Sequence, residues 1–153
     1  MKQGQDLQQL IGYLAQRLQL IGERDAREAL QPFGITPAKL TALLLVRDNP
    51  GCDQSALGRA LSINRASTMR QVNILEERGL IERRPGRDAR TNALYLTPFG
   101  EAQTAAMVGV VRECDRRLTS PLTTPEVESL RRLLVKLTTG KDRVRIRRKA
   151  APS

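Results

Sequence analysis

Leu61-Ser62-Ile63-Asn64-Arg65-Ala66-Ser67-Thr68-Met69-Arg70-Gln71-Val72 is the stretch that decides how this chain reads. On its N-terminal side, a short helical pattern begins after Asp53 and carries Leu57 and Leu61. On its C-terminal side, a second pattern carries Val72 and Leu75 and ends at Gly79. Asp53 and Asn64 each suit the position before a helix, where a short side-chain oxygen accepts from a free amide of the first turn. Gly79 suits the left-handed residue that closes one. Only Leu61-Ser62-Ile63-Asn64 lies between the two helices, a connection of helix-turn-helix length.

The second of these helices presents small polar residues early and a long basic residue a turn later. A helix that enters the major groove of DNA needs that arrangement. Ser67 and Arg70 are three apart and share a face, whereas Val72 and Leu75 point to the core. Asn64, Arg65, Ser67, Thr68 and Arg70 are therefore candidate DNA contacts. Taken alone, Arg65 and Arg70 could equally be the solvated charges of an exposed helix.

The residues beyond Gly79 tip the balance. There the period shortens, and Leu80–Arg84 and Asn92–Leu96 read as short strands around Pro85-Gly86-Arg87-Asp88-Ala89-Arg90-Thr91. This is a basic hairpin, a wing, with Arg83, Arg84, Arg87 and Arg90 in eight positions. An arginine at such a tip can enter a narrow minor groove, where negative potential concentrates. Asp88 can hold and aim a guanidinium through a bidentate pair. Arg84, Arg87, Asp88 and Arg90 join the candidate DNA contacts, although a solvated turn with a local ion pair would carry the same residues.

Working outward, Leu7, Leu10, Ile11, Leu14, Leu18 and Ile21 recur at helical spacing, which predicts one long helix over residues 7–30, interrupted by Pro32 and Gly34. Thr36-Pro37 starts the next, through Leu40, Leu43, Leu44 and Val46, and Asn49-Pro50-Gly51 stops it. Thr97-Pro98 opens a helix read as apolar through Ala102, Ala105, Ala106, Val110 and Leu118, and Ser120-Pro121 closes it. A last helix carries Val127, Leu130, Leu133, Leu134 and Leu137. Thr123 with Glu126 fits a capping box, and Thr124 before Pro125 fits a cap equally well. The end of the chain, Lys141–Ser153, holds six cations against Asp142 alone, half of the net charge, and its low apolar content predicts disorder.

Composition narrows the partners. The chain has 153 residues, a net charge of +10, 40% hydrophobic and 3% aromatic residues, and no tryptophan. One domain of helices packed through Leu, Ile, Val and Ala is expected, with a basic surface that attracts polyanions. No stretch has the length of a membrane span, and the N-terminus lacks a signal-peptide pattern, so no membrane partner and a cytoplasmic location are expected. Cys52 and Cys114 are too few for a disulfide framework. Histidine is absent, which removes the commonest general base and zinc ligand together. With no nucleophile-elbow, phosphate-loop, CxxC or HExxH spacing either, the chain is expected not to be an enzyme. A protein-docking winged helix is the remaining rival.

From Ile35 to Ala102 the sequence resembles the MarR/SlyA family of winged helix-turn-helix regulators. Ile35-Thr36-Pro37 with Leu40, Asn49-Pro50-Gly51, Gln54-Ser55 with Leu57, Leu75-Glu76-Glu77-Arg78-Gly79-Leu80-Ile81-Glu82-Arg83, Asp88-Ala89-Arg90 and Leu96-Thr97-Pro98-Phe99-Gly100 carry the resemblance. It implies a mainly α fold of about six helices with a β-hairpin wing. The winged helix-turn-helix would span about 35–100 of a single domain over 1–140, with dimerisation helices at about 7–30 and 98–139. It further implies a homodimer on duplex DNA, a pseudo-palindromic operator and, by default, repression. Ser67 and Arg70 fall where the family reads the major groove. Arg90 falls at the wing arginine and Asp88 at the acid that orients it. The dimer would be held by Leu7, Leu10, Ile11, Leu14, Leu130, Leu134 and Leu137. No cofactor or metal is implied. A small, often aromatic effector is, and scarce aromatics suggest a mainly aliphatic pocket. Gly58 departs from the usual alanine, and Thr68 and Gln71 replace residues that are commonly aliphatic. Arg112, Arg116 and Arg117 near Cys114 could lower a thiol pKa, but neither cysteine occupies the early first-helix position of the peroxide-sensing members.

Overall fold

A computed structural model describes residues 4–86 and 92–139. In chain order the elements are α1 (Gln5–Gln9), α2 (Ile11–Leu30), a 3-10 turn (Gln31–Phe33), α3 (Pro37–Asp48), β1 (Cys52–Asp53), α4 (Gln54–Leu61), α5 (Arg65–Glu77), β2 (Ile81–Pro85), β3 (Asn92–Leu96), α6 (Pro98–Leu118) and α7 (Thr124–Thr139). The expected fold class is observed: helices around a hairpin. Residues through Leu118 form one compact unit, and α7 belongs to a second that begins at Thr119.

Local chemistry sets most of the boundaries. The Thr36 hydroxyl accepts from the Lys39 amide at 3.4 Å, Asp53 Oδ1 from Ala56 at 2.6 Å and Asn64 Oδ1 from Ser67 at 2.8 Å. Each bond fills one of the amides a helix start leaves open. Gly34 and Gly79 take the left-handed conformation after their helices, at φ 61° and 67°. At α7 the Thr123 amide and hydroxyl both donate to Glu126 Oε2, at 2.7 and 2.8 Å, so the capping box begins at Thr123.

Three features depart from the sequence reading. The long first helix is broken at Leu10, whose backbone is extended (φ −82°, ψ 105°). Gly12 weakens the helix there, and the leucine face gains no burial within the chain from continuing it; Ile11 is 70% exposed. The hairpin has a third strand. β1 pairs antiparallel with β3, Cys52 opposite Leu94 and Asp53 opposite Ala93, on the side of β3 away from β2. Finally, α6 buries Gly100, Thr104, Met107 and Cys114, while Ala102, Ala105 and Ala106 are exposed.

The core gathers Leu30, Ile35, Leu40, Leu43, Val46, Leu57, Val72, Leu75, Leu80, Ile81, Leu94 and Met107. Val72 and Leu75 are fully buried, so the inner face of α5 is bedded on it. The base of the hairpin is tied to α6. Thr97 Oγ1 donates to the Gly79 carbonyl at 2.5 Å and accepts from the Gly100 amide at 2.9 Å. The Gly100 backbone lies so close to the Leu80 carbonyl that a Cβ would overlap it.

Candidate nucleic-acid interface

Helix α5 presents its outward surface through Arg65, Ala66, Met69, Arg70 and Asn73, all exposed. Burial of Val72 and Leu75 on the opposite side fixes this orientation. No hydrogen bond or ion pair engages Arg65 or Arg70 among the described residues. Asn64 is exposed but spends its side-chain oxygen on the helix cap. Ser67 is half-buried beside this surface.

Thr68 is corrected by the structure. It is 1% exposed, its hydroxyl donates to the Asn64 carbonyl at 2.9 Å, and it faces α4 rather than solvent. A Cβ built on Gly58 would stand 2.6 Å from Thr68 Oγ1. Two of the three departures from the family pattern noted in the sequence are therefore one contact: the glycine makes room for the threonine. Threonine caps and lines grooves so often that its sequence neighbours alone place it with Ser67.

The arginines around α5 divide sharply. Arg78, at the C-terminal end of α5, donates to the Phe33 and Gly34 carbonyls at 2.6 Å each and anchors that end to the turn after α2. Arg83 on β2 bridges Glu76 and Asn73 of α5, reaching Asn73 Oδ1 at 2.6 Å and tying the hairpin to the helix. Arg84 pairs with Glu82 and lies over the Tyr95 ring, 4.5 Å from its centroid, yet its side chain stays exposed. The roles of Arg78 and Arg83 were missed because their partners are distant backbone carbonyls and a neighbouring helix. Arg87, Asp88 and Arg90, together with Lys141–Ser153, lie outside the described residues.

A cavity of about 230 Å³ is lined by Phe33, Ile35, Arg78, Leu80, Phe99, Gln103 and Met107. Both phenylalanines of the chain line it, beside the aliphatic Ile35, Leu80 and Met107. Of the cysteines, Cys114 is buried, with Sγ 3.6 Å from the Asp25 carbonyl and 3.4 Å from Arg117 Nη2. Burial, and secondarily the neighbouring Asp53 charge, pushes the Cys52 thiol above its ordinary pKa.

Two helices joined by a tight turn, with a paired hairpin after them, define a winged helix-turn-helix regulator. The MarR family model matches residues 33–91. A protein of Thauera aromatica described as the transcriptional regulatory protein for its hcr operon is 34% identical over 129 residues, covering 83% of this chain and 78% of its own. This chain belongs to the MarR family of transcriptional regulators. Among solved structures, the transcriptional repressor CouR bound to a 23-mer DNA duplex matches with TM-score 0.82 and 31% identity, over 90% of this chain and 98% of that one. Rv2887 of Mycobacterium tuberculosis in complex with salicylic acid matches with TM-score 0.71 and 28% identity, over 84% and 96%. No single helix among the described residues is long and apolar enough to cross a membrane.

Proposed function

We propose that this protein is a cytoplasmic repressor that binds a pseudo-palindromic operator as a homodimer and is released by a small aromatic ligand. The observation that carries the reading is the division of arginines. Arg78 and Arg83 are consumed by internal bonds, while Arg65 and Arg70 project from the exposed face of α5 with no partner among the described residues. Cations left free on a capped helix of this kind meet phosphates and guanine edges. The similar CouR structure contains a DNA duplex, and the name of Rv2887 calls that protein a repressor, which supports repression here.

Leu7, Leu10, Ile11 and Leu14 and, on α7, Leu134 and Leu137 are exposed, and Leu130 is half-buried. A second copy covering these apolar stripes is the economical reading. The cavity is the candidate effector site, where two phenyl rings suit an aromatic ring. The salicylic acid complex of Rv2887 supports that class of ligand. Minor-groove contact by Arg90, with Asp88 as orienting acid, rests on the sequence resemblance, and contact by Arg87 rests on the basic character of the same stretch.

Fluorescence anisotropy with duplex DNA from upstream of the protein's own gene, against a random duplex of equal length, tests the reading across a salt series. Preferential binding, weakened by about 1–3 kcal/mol in Arg70→Ala, is expected. Equal affinity for both duplexes, unchanged by Arg70→Ala, overturns it.

A further inference from the structure

We infer that Met69, with Ala66 beside it, reads the C5 methyl groups of thymine in the major groove; the inference rests on the DNA-binding reading above. Met69 is 49% exposed, on the outward surface of a helix whose inner face is buried. Ala66, three residues earlier, is exposed on the same side, and Arg65 and Arg70 bracket the pair. A single exposed methionine is ordinary on a protein surface. This one sits where the hydroxyls expected to read bases have been withdrawn. The Thr68 hydroxyl is buried on the Asn64 carbonyl, and Ser67 is half-buried. Asn64 holds its oxygen on the Ser67 amide, and Asn73 accepts from Arg83.

The surface left to face a groove is therefore an apolar patch bracketed by two guanidiniums, with the amide nitrogens of Asn64 and Asn73 beside it. Arginine pairs with guanine O6 and N7 or with phosphate. The apolar group the major groove offers is the thymine methyl. Methionine suits it, because an unbranched thioether adapts to a small apolar partner without a fixed rotamer. Thymine recognition by this patch then supplies discrimination that Arg65 and Arg70 alone do not give at A·T pairs.

Duplexes bound by the full chain are selected from a random pool, and each thymidine of the winning duplex is replaced in turn by deoxyuridine, which removes only the methyl. Wild type should lose about fourfold in affinity for each methyl buried against Met69. Met69→Ala should bind the original duplex more weakly and show no further loss on that replacement. Met69 is exposed, so the variant keeps its core, and an unchanged thermal transition verifies this. Deoxyuridine duplexes that bind wild type as well as thymidine ones overturn the inference while leaving the regulator reading intact. So does an equal loss in Met69→Ala. A selection that enriches no sequence overturns both.

Discussion

At Thr68 a residue type associated with caps and contacts serves as packing. Its β-branched side chain has little rotamer freedom, and its hydroxyl is already bonded to the Asn64 carbonyl. Gly58→Ala would gain helix propensity of about 1 kcal/mol, but its methyl meets this stiff neighbour. Overpacking of that kind costs about 1–3 kcal/mol. Net destabilisation by about 1 kcal/mol is expected, measured by urea unfolding. In a Thr68→Ala background the same glycine substitution should be neutral or stabilising. Additive effects in that double-mutant cycle would show that the contact is not what holds glycine in place. Sequence alone flagged both residues as unusual but not that they touch, because ten positions separate them and the meeting depends on how α4 crosses α5.

Among elements, what was legible was local. Thr36, Asp53, Asn64, Gly34 and Gly79 act within a few residues, so their chemistry shows in the sequence. β1 was not legible: its partner strand is distant in the chain, and two residues carry no period. The buried face of α6 misled for another reason. Alanines mark helix propensity rather than burial, and the residues taken inward are Thr104 and Met107. The helix α7 cap was left open between two threonines. Backbone and then hydroxyl bonds from Thr123 hold the Glu126 carboxyl below its ordinary pKa. A lowered folded-state pKa means that the contribution is present above the unfolded carboxylate pKa and disappears as pH falls through the folded value. The helical signal of α7 should therefore drop at acid pH in wild type, and Glu126→Gln should lose that step. A pH-independent difference between the two, monitored by circular dichroism, would argue against the cap.

For the whole molecule, the exposed apolar side chains make concentration the variable that tests the proposed dimer. Leu137 is 69% exposed and Ile11 70%, side chains that a lone copy leaves in water. If a second copy covers them, the thermal midpoint rises with protein concentration. Ile11→Glu with Leu14→Glu should remove that dependence and yield monomers by sedimentation, with the winged helix-turn-helix still folded on its own core. A midpoint independent of concentration in wild type would count against the dimer.

The joint at the root of the hairpin has a mechanical consequence. With Thr97 bonded to Gly79, and Gly100 pressed on the Leu80 carbonyl, there is no slack between the start of α6 and the base of the hairpin. Phe99, next to Gly100, and Gln103 and Met107, about one and two turns further on, line the cavity. The base of the hairpin and the start of α6 therefore share a single tight joint, and any side chain at position 100 would have to prise them apart.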